Sequence, residues 1–185
     1  MHQEITVSKK KKFTEGLLNN SKILNELKIE SGQSVVDAGC GNGYMARKFS
    51  ELVGNTGKVY ALDLDIEFIQ DFQSEVENNT NVTAFVGDIT KTTILKDKSI
   101  DLVYLSAVFH IFSKIQIDGF IKEVNRVLKS NGKLAIVNIN KEETPFGPPL
   151  EIRVSPEELI RKITFSPIKF VKVGKHFYMQ MFEKI

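Results

Sequence analysis

Residues 35–49 read VVDAGCGNGYMARKF. An apolar run of strand type ends at an acid, Asp37. Glycines follow at alternate positions, Gly39, Gly41 and Gly43, and a helical pattern begins straight after them. A strand that runs through a bare turn into a helix is the start of an α/β unit, and in such sheets ligands bind beyond the carboxyl ends of the strands. Leaving out Cβ at three alternate positions lets a ligand lie directly against the backbone. The amides opening the next helix are then available to a carboxylate or phosphate. A tight turn without a ligand needs only one glycine.

The same alternation continues outward. Ser34–Asp37, Lys58–Asp63, Val82–Val86, Ile100–Leu105 and Lys133–Ile139 are short segments rich in β-branched residues, most of them apolar throughout, as strands covered on both faces are. Helical stripes lie between them: Met45, Phe49, Leu52 and Val53; Ile69, Phe72 and Val76; Phe120, Val124, Val127 and Leu128. The segment 91–98 lacks apolar periodicity and reads as a loop. The pattern predicts a three-layer, doubly wound α/β fold with a mainly parallel sheet.

Thr14–Lys28 reads as a helix with Leu17, Leu18, Leu24 and Leu27 on its apolar side. KEETPFGPPLEIRV, with three prolines, reads as a loop. SPEEL restarts a helix: Ser155 suits the cap, Pro156 the first helical position and Glu158 a capping box. Ile168–Val173 and His176–Phe182, joined across VGK, predict a closing antiparallel hairpin. The expected organisation is one domain, 1–185. It comprises a helical lead-in and candidate lid (1–33), a ligand-binding core (34–140), a loop over the site (141–155) and a C-terminal helix and hairpin (156–185).

The 185 residues are 42% hydrophobic and 26% charged with a formal net charge of +2, so no strong field points to nucleic acid or acidic lipid. Lys9–Lys12 is the one dense charge cluster and reads as a solvated lead-in or, alternatively, an arm that touches RNA or membrane. The single cysteine, Cys40, excludes disulfides and thiolate metal clusters within the sequence. No stretch reaches the roughly 18 apolar residues of a membrane span, and the lysine-rich start does not resemble a secretory signal, so a cytoplasmic location is expected.

Two ligands compete for the glycine turn. Gly41-x-Gly43-x-x-Ala46 with Asp63 some twenty residues on also fits a dinucleotide fingerprint, which makes an NAD-binding oxidoreductase the rival. A pyrophosphate at this turn would be repelled by Asp37. S-adenosylmethionine (SAM) carries a sulfonium and an ammonium instead, which a carboxylate favours. Asp63 ends KVYALD, where it can accept from both ribose hydroxyls, and Asp88 ends FVGDIT, where it can accept from the adenine amine. Either acid alone could be a cap or turn residue; three closing successive strands point to SAM.

These residues resemble a class I SAM-dependent methyltransferase, in particular the small type 11 group that includes the ubiquinone/menaquinone-biosynthesis enzymes. VVDAGCGNG is similar to that family's glycine motif, VYALDLDIEFI to its second motif and VGDIT to its third. SIDLVYLSAVFHIF is similar to its fourth strand, and FIKEVNRVLKSNGKLAIVNI to its fifth helix and strand. The resemblance spans about Ser34 to Phe182 and implies a seven-stranded sheet with an antiparallel last strand. It implies that Asp37, Gly39, Gly41 and Gly43 line the methionine and ribose end, and that Asp63 holds the ribose while Leu64 packs on the adenine. It further implies that Asp88 and the Ile89 backbone read the adenine edge and that Ser106 lies near the reacting methyl. LKSNGK departs from the family's usual proline and second glycine, and Asn131 is expected to take the left-handed turn.

Methyl transfer from a sulfonium demands alignment and exclusion of water, with a base only for an acceptor that starts protonated. His110, just past the fourth strand, is the candidate base, or else a packing histidine. Arg153 is a candidate anchor for an anionic acceptor, or else a surface residue. Phe146 and Pro148–Pro149 are candidate lid residues, and His176 is expected to be structural. No NPPY-like tetrapeptide follows the fourth strand, which disfavours the amino-directed adenine enzymes. Cys40, inside the glycine turn, leaves covalent cytosine and arsenic chemistry without their thiols and is expected to be a small buried residue. The expectation is a SAM-dependent methyltransferase of a small-molecule acceptor, with no nucleic-acid partner and the oligomeric state open. The alternative is a SAM-binding scaffold or regulatory subunit.

Overall fold

The computed structural model describes residues 16–185; Lys9–Lys12 and the first two residues of the predicted Thr14–Lys28 helix lie outside them. The strands are β1 (Ser34–Ala38), β2 (Lys58–Asp63), β3 (Val82–Val86), β4 (Ile100–Ser106), β5 (Leu128–Ile139), β6 (Ser166–Gly174) and β7 (Phe177–Glu183). The helices are α1 (Asn20–Leu27), α2 (Tyr44–Val53), α3 (Ile66–Glu75), α4 (Lys114–Val127) and α5 (Pro156–Lys162). They form one seven-stranded sheet in the order β3-β2-β1-β4-β5-β7-β6, parallel except for β7, which is antiparallel to both of its neighbours. The predicted class I architecture is the observed one.

Every central strand is buried on both sides because the helices split between the faces. Val35, Tyr104, Ala135 and Val137 pack with α1, α2 and α3 through Ile23, Phe49 and Phe72. Val36, Val103, Leu105 and Ile136 pack on the other face with α4 and α5 through Phe120, Val124 and Leu159. Two strand-end rules then place the site. Parallel strands all point their carboxyl ends the same way, and the order reverses between β1 and β4, opening a crevice there.

Three details differ from the sequence expectation. Leu128, read as the last member of the α4 stripe, opens β5, which therefore begins five residues before the expected Lys133. α1 begins at Asn20, not Thr14, because the Asn19 side chain accepts from Lys22 N at 2.9 Å and caps the helix there, while Leu17 and Leu18 pack on the core from the turn before it. Leu52 is 40% exposed; the buried stripe of α2 is Met45, Ala46, Phe49, Ser50 and Val53. Other features match. The 91–98 segment is a loop, Asn131 is left-handed with φ 61°, and α5 opens with Pro156 and a reciprocal Ser155–Glu158 capping box.

Candidate active site

The glycine turn joins β1 to α2 and is tied to the end of β2. Leu62 O accepts from Gly39 N and Cys40 N at 2.8 and 3.1 Å, and the Asp63 carboxylate accepts from Gly41 N at 2.8 Å and Asp65 N at 3.0 Å. Each Asp63 oxygen thus spends one lone pair on the backbone and keeps capacity for a ligand hydroxyl. The glycines have a more internal use than the sequence suggested. A Cβ on Gly39 would stand 2.7 Å from Val108 Cγ2, and one on Gly43 would stand 2.4 Å from the Phe72 ring. At those two positions the missing side chains make room for the protein's own residues, and φ values of 69° and 74° demand glycine as well. Cys40, 2% exposed, is a small core residue.

Beside this turn lies a cleft of about 280 Å³ whose lining includes Gly39, Asp63, Leu64, Asp88, Ile89 and Val108. Four of the residues expected at the ribose and adenine end therefore meet in one place. Leu64 is 68% exposed and forms an apolar wall; Ile89 is 6% exposed. Asp88 Oδ1 accepts from Thr90 N at 2.9 Å and Thr90 Oγ1 at 2.6 Å, while Lys91 lies 3.4 Å from Oδ2. Burial works to raise the Asp88 carboxyl's pKa, but the Thr90 and Lys91 interactions outweigh it and hold the group below the usual carboxylate range. A larger groove of about 420 Å³ between α4 and the C-terminus, lined by Lys122 and Lys184, lies by the start of β6 and the end of β7, away from the carboxyl ends of the parallel strands. Lys184 there donates to the carbonyls of Asn125 and Leu128 at the end of α4.

Past the glycine turn lie the carboxyl-terminal ends of β4 and β5 and the segments that follow them. Tyr104 Oη, Ser106 Oγ, His110 Nδ1 and Asn138 Oδ1 are buried side-chain atoms that make no hydrogen bond among the described residues. All belong to the carboxyl-terminal parts of β4 and β5 or to the 3-10 turn Phe109–Ile111. Buried polar groups are rarely left this way, and Ser106 and His110, at and just past the end of β4, are the two whose bonding a polar ligand could complete. Asp37, 1% exposed, faces the same layer as Tyr104. Ala107 sits between β4 and Val108 with φ 57°, a conformation a non-glycine residue rarely adopts, and its amide donates to Val137 O at 2.8 Å. Strain of this kind is characteristic of functional turns. Nothing in the sequence marked Ala107.

His110 is half-buried, and burial together with the Arg153 charge pushes its pKa below the usual 6.5, so it is neutral at pH 7. Arg153 itself needs correction. Rather than a surface residue or a free anion anchor, it is 5% exposed. Its guanidinium donates to Pro148 O (2.9 Å), Asn140 O (3.3 Å), Glu142 O (2.7 Å) and Phe146 O (3.1 Å). With most of its five N–H groups committed to carbonyls, it shapes the 141–155 loop. Phe146 packs against the Phe177 ring at 6.4 Å and the His176 ring at 5.7 Å, and His176 Nδ1 lies 2.9 Å from Glu142. His176 is structural, as expected.

Sequence reasoning passed over one supporting network. Glu123, on α4 and 3% exposed, accepts from Thr93 N at 2.8 Å and Thr93 Oγ1 at 2.6 Å and pairs with Arg126, which also reaches Leu95 O. The loop after β3 is thereby pinned to α4. Its place on the buried stripe, three residues after Phe120, was the available signal.

The donor set fits SAM: acids lie at or just past the ends of β1, β2 and β3, and an apolar wall flanks the cleft. Comparison with known proteins gives the same assignment. A family model described as the methyltransferase domain matches residues 35–132, more than half of the chain. The ubiquinone/menaquinone biosynthesis C-methyltransferase UbiE of Hahella chejuensis is 29% identical over 121 residues, 64% of this chain and 47% of that protein. This chain thus matches about half of that relative's length. A fibrillarin-like rRNA/tRNA 2'-O-methyltransferase of Thermococcus sibiricus is 23% identical over 88% of this chain and 69% of its own. The crystal structure of a SAM-dependent methyltransferase from Aquifex aeolicus superposes with a TM-score of 0.83 at 29% identity, covering 93% of both chains. Among the described residues no helix is long and apolar enough to cross a membrane. The chain belongs to the methyltransferase-domain family, with the class I fold and SAM as the family's methyl donor.

Proposed function

We propose that this protein transfers the methyl group of SAM to a small organic acceptor, and the observation that carries the reading is the cleft beside the glycine turn where Asp63, Leu64, Asp88 and Ile89 meet. Asp63 would hold the ribose hydroxyls, Leu64 the adenine face, and Asp88 and the Ile89 backbone the adenine edge. Gly39, Gly41 and Gly43 form the turn on which the cofactor lies, with Asp37 and Ser106 toward its methionyl end. When bound, SAM supplies an electrophilic methyl on a sulfonium whose departure leaves a neutral thioether. The protein's own work is orientation and exclusion of water, an effect that supplies on the order of 7–11 kcal/mol in favourable cases. His110, with its pKa held below the usual value by burial and the Arg153 charge, would take the proton of an acceptor that starts protonated. Phe146 and the loop that Arg153 braces wall the acceptor side. The UbiE relative, named for quinone biosynthesis, supports a small acceptor; the fibrillarin-like one, named for RNA, is the competing precedent at lower identity.

Calorimetric titration with SAM, S-adenosylhomocysteine and NAD tests the reading. Binding of the first two at about micromolar level is expected, weakened about ten- to a hundredfold by Asp63→Ala, the worth of one or two charge-assisted hydrogen bonds. NAD binding without SAM binding refutes it. Incubation with labelled SAM and separate small-molecule and RNA fractions then distinguishes the acceptor classes.

A further inference from the structure

On the face of the sheet that carries α2, Tyr104 and Asp37 are register partners on β4 and β1, and Ser106 follows two residues on, on that same face. Tyr104 is 1% exposed, Asp37 1% and Ser106 3%. The Phe49 ring meets the Tyr104 ring edge-on at 5.3 Å and fixes its orientation. Neither hydroxyl meets full hydrogen-bond geometry to another described residue, but the Ser106 side chain and the Asp37 charge are the two polar neighbours that act on the Tyr104 phenol. A phenol in the middle of an apolar strand is costly unless its hydroxyl has a task, because phenylalanine fills the same space without the desolvation penalty. Tyr104 is too deeply covered to meet a ligand itself. What it can reach is the polar pair beside it.

We propose that Tyr104 is a positioning residue whose hydroxyl orients Ser106 and Asp37 toward the amino-acid end of the cofactor. This deepens the proposed function and rests on it. Burial, with the Asp37 charge adding to it, keeps the phenol protonated, so it serves as a donor throughout the working pH range. The adenosine end, held by Asp63, Asp88 and Ile89 across β2 and β3, is independent of it.

That independence supplies the test. S-adenosylhomocysteine has both ends; 5'-methylthioadenosine has the adenosine and thioether but no amino-acid end. Calorimetry on Tyr104→Phe is expected to show S-adenosylhomocysteine binding about tenfold weaker, with 5'-methylthioadenosine within about twofold of wild type. Equal loss for both ligands overturns the proposal, because the hydroxyl would then shape the whole cleft; so does no loss for either. If Tyr104→Phe does not fold, Ser106→Ala is put through the same pair of titrations with the same split expected. Wild-type protein that binds neither ligand would sink the cofactor assignment itself, an outcome distinct from wild-type binding with an unaffected variant.

Discussion

Replacing Glu123 with alanine should loosen the adenine side of the site from a distance. The carboxylate is 3% exposed and satisfies two Thr93 donors, at 2.8 and 2.6 Å, along with Arg126 at 2.6 and 2.8 Å. Each orphaned donor costs about 1–3 kcal/mol, and Thr93 is only partly buried, so the low end applies to both. Arg126, a quarter exposed, recovers water and keeps Asp97 and Leu95 O, so losing that pair adds at most about 1 kcal/mol. The expected loss is about 2–3 kcal/mol, a sizeable part of the roughly 5–15 kcal/mol that holds a domain folded. Urea unfolding followed by circular dichroism reads it as a midpoint about 1 M lower with the slope unchanged. Glu123→Gln, which keeps an acceptor for Thr93, should lose about 1 kcal/mol. The pH dependence has a definite sign. Burial opposes ionisation of Glu123, but the Arg126 and Thr93 bonds outweigh it and hold its pKa below 4.5. Its contribution is therefore complete above the unfolded carboxylate's pKa and is lost as pH falls through the lower folded value, so the gap between variant and wild type must close in acid. An unmoved midpoint at pH 7, or a gap that widens in acid, would refute the reasoning.

Gly119→Ala tests the same loop from another side. Its Cβ would stand 2.2 Å from Thr90 O, a backbone atom next to Ile89, so about 1–3 kcal/mol of stability and part of the S-adenosylhomocysteine affinity should go together in urea unfolding and calorimetry. His110 gives a pH signature. With a folded pKa below 6.5 it takes up its proton later than in the unfolded chain, so stability falls as pH drops below about 6.5, and an acid limb of kcat/KM, for an acceptor needing a base, lies below 6.5 and vanishes in His110→Gln. Arg153→Ala releases three carbonyls of the 141–155 loop and that of Asn140 just before it, and limited proteolysis should then cut within residues 141–152 faster than in wild type, with S-adenosylhomocysteine affinity within about twofold.

How much of this could be read from the sequence differs between the two sides of the cleft. The positions of Asp37, Asp63 and Asp88 at or just past strand ends were legible because a strand announces its own end, and Asp63 and Asp88 do meet in one cleft. The β6–β7 hairpin was legible from its turn and alternation. Tyr104 was not, since DLVYL reads as five residues of buried strand whatever the hydroxyl does. Ala107 was hidden because no local signal encodes a left-handed alanine. The glycines were read correctly as a bare turn and incompletely as to cause. At Gly39 and Gly43 the space is claimed by Val108 and Phe72, side chains 69 and 29 residues away along the chain.

The acceptor side stays less legible for a physical reason that Arg153 shows. On the cofactor side, ligand contacts come from strand ends whose positions the hydrogen-bonded sheet fixes to within a residue, so the sequence of a strand is close to a statement about the site. The 141–155 loop has no such lattice. Its path is set by one guanidinium collecting carbonyls at 140, 142, 146 and 148, and backbone carbonyls carry no residue identity. An arginine in that loop looks the same in sequence whether it grips an anionic acceptor or its own backbone. Substituting along the loop while Arg153 is kept should therefore change which acceptor fits without altering cofactor affinity. A loop exchange that altered S-adenosylhomocysteine binding as strongly as turnover would mean that the two sides are not built independently.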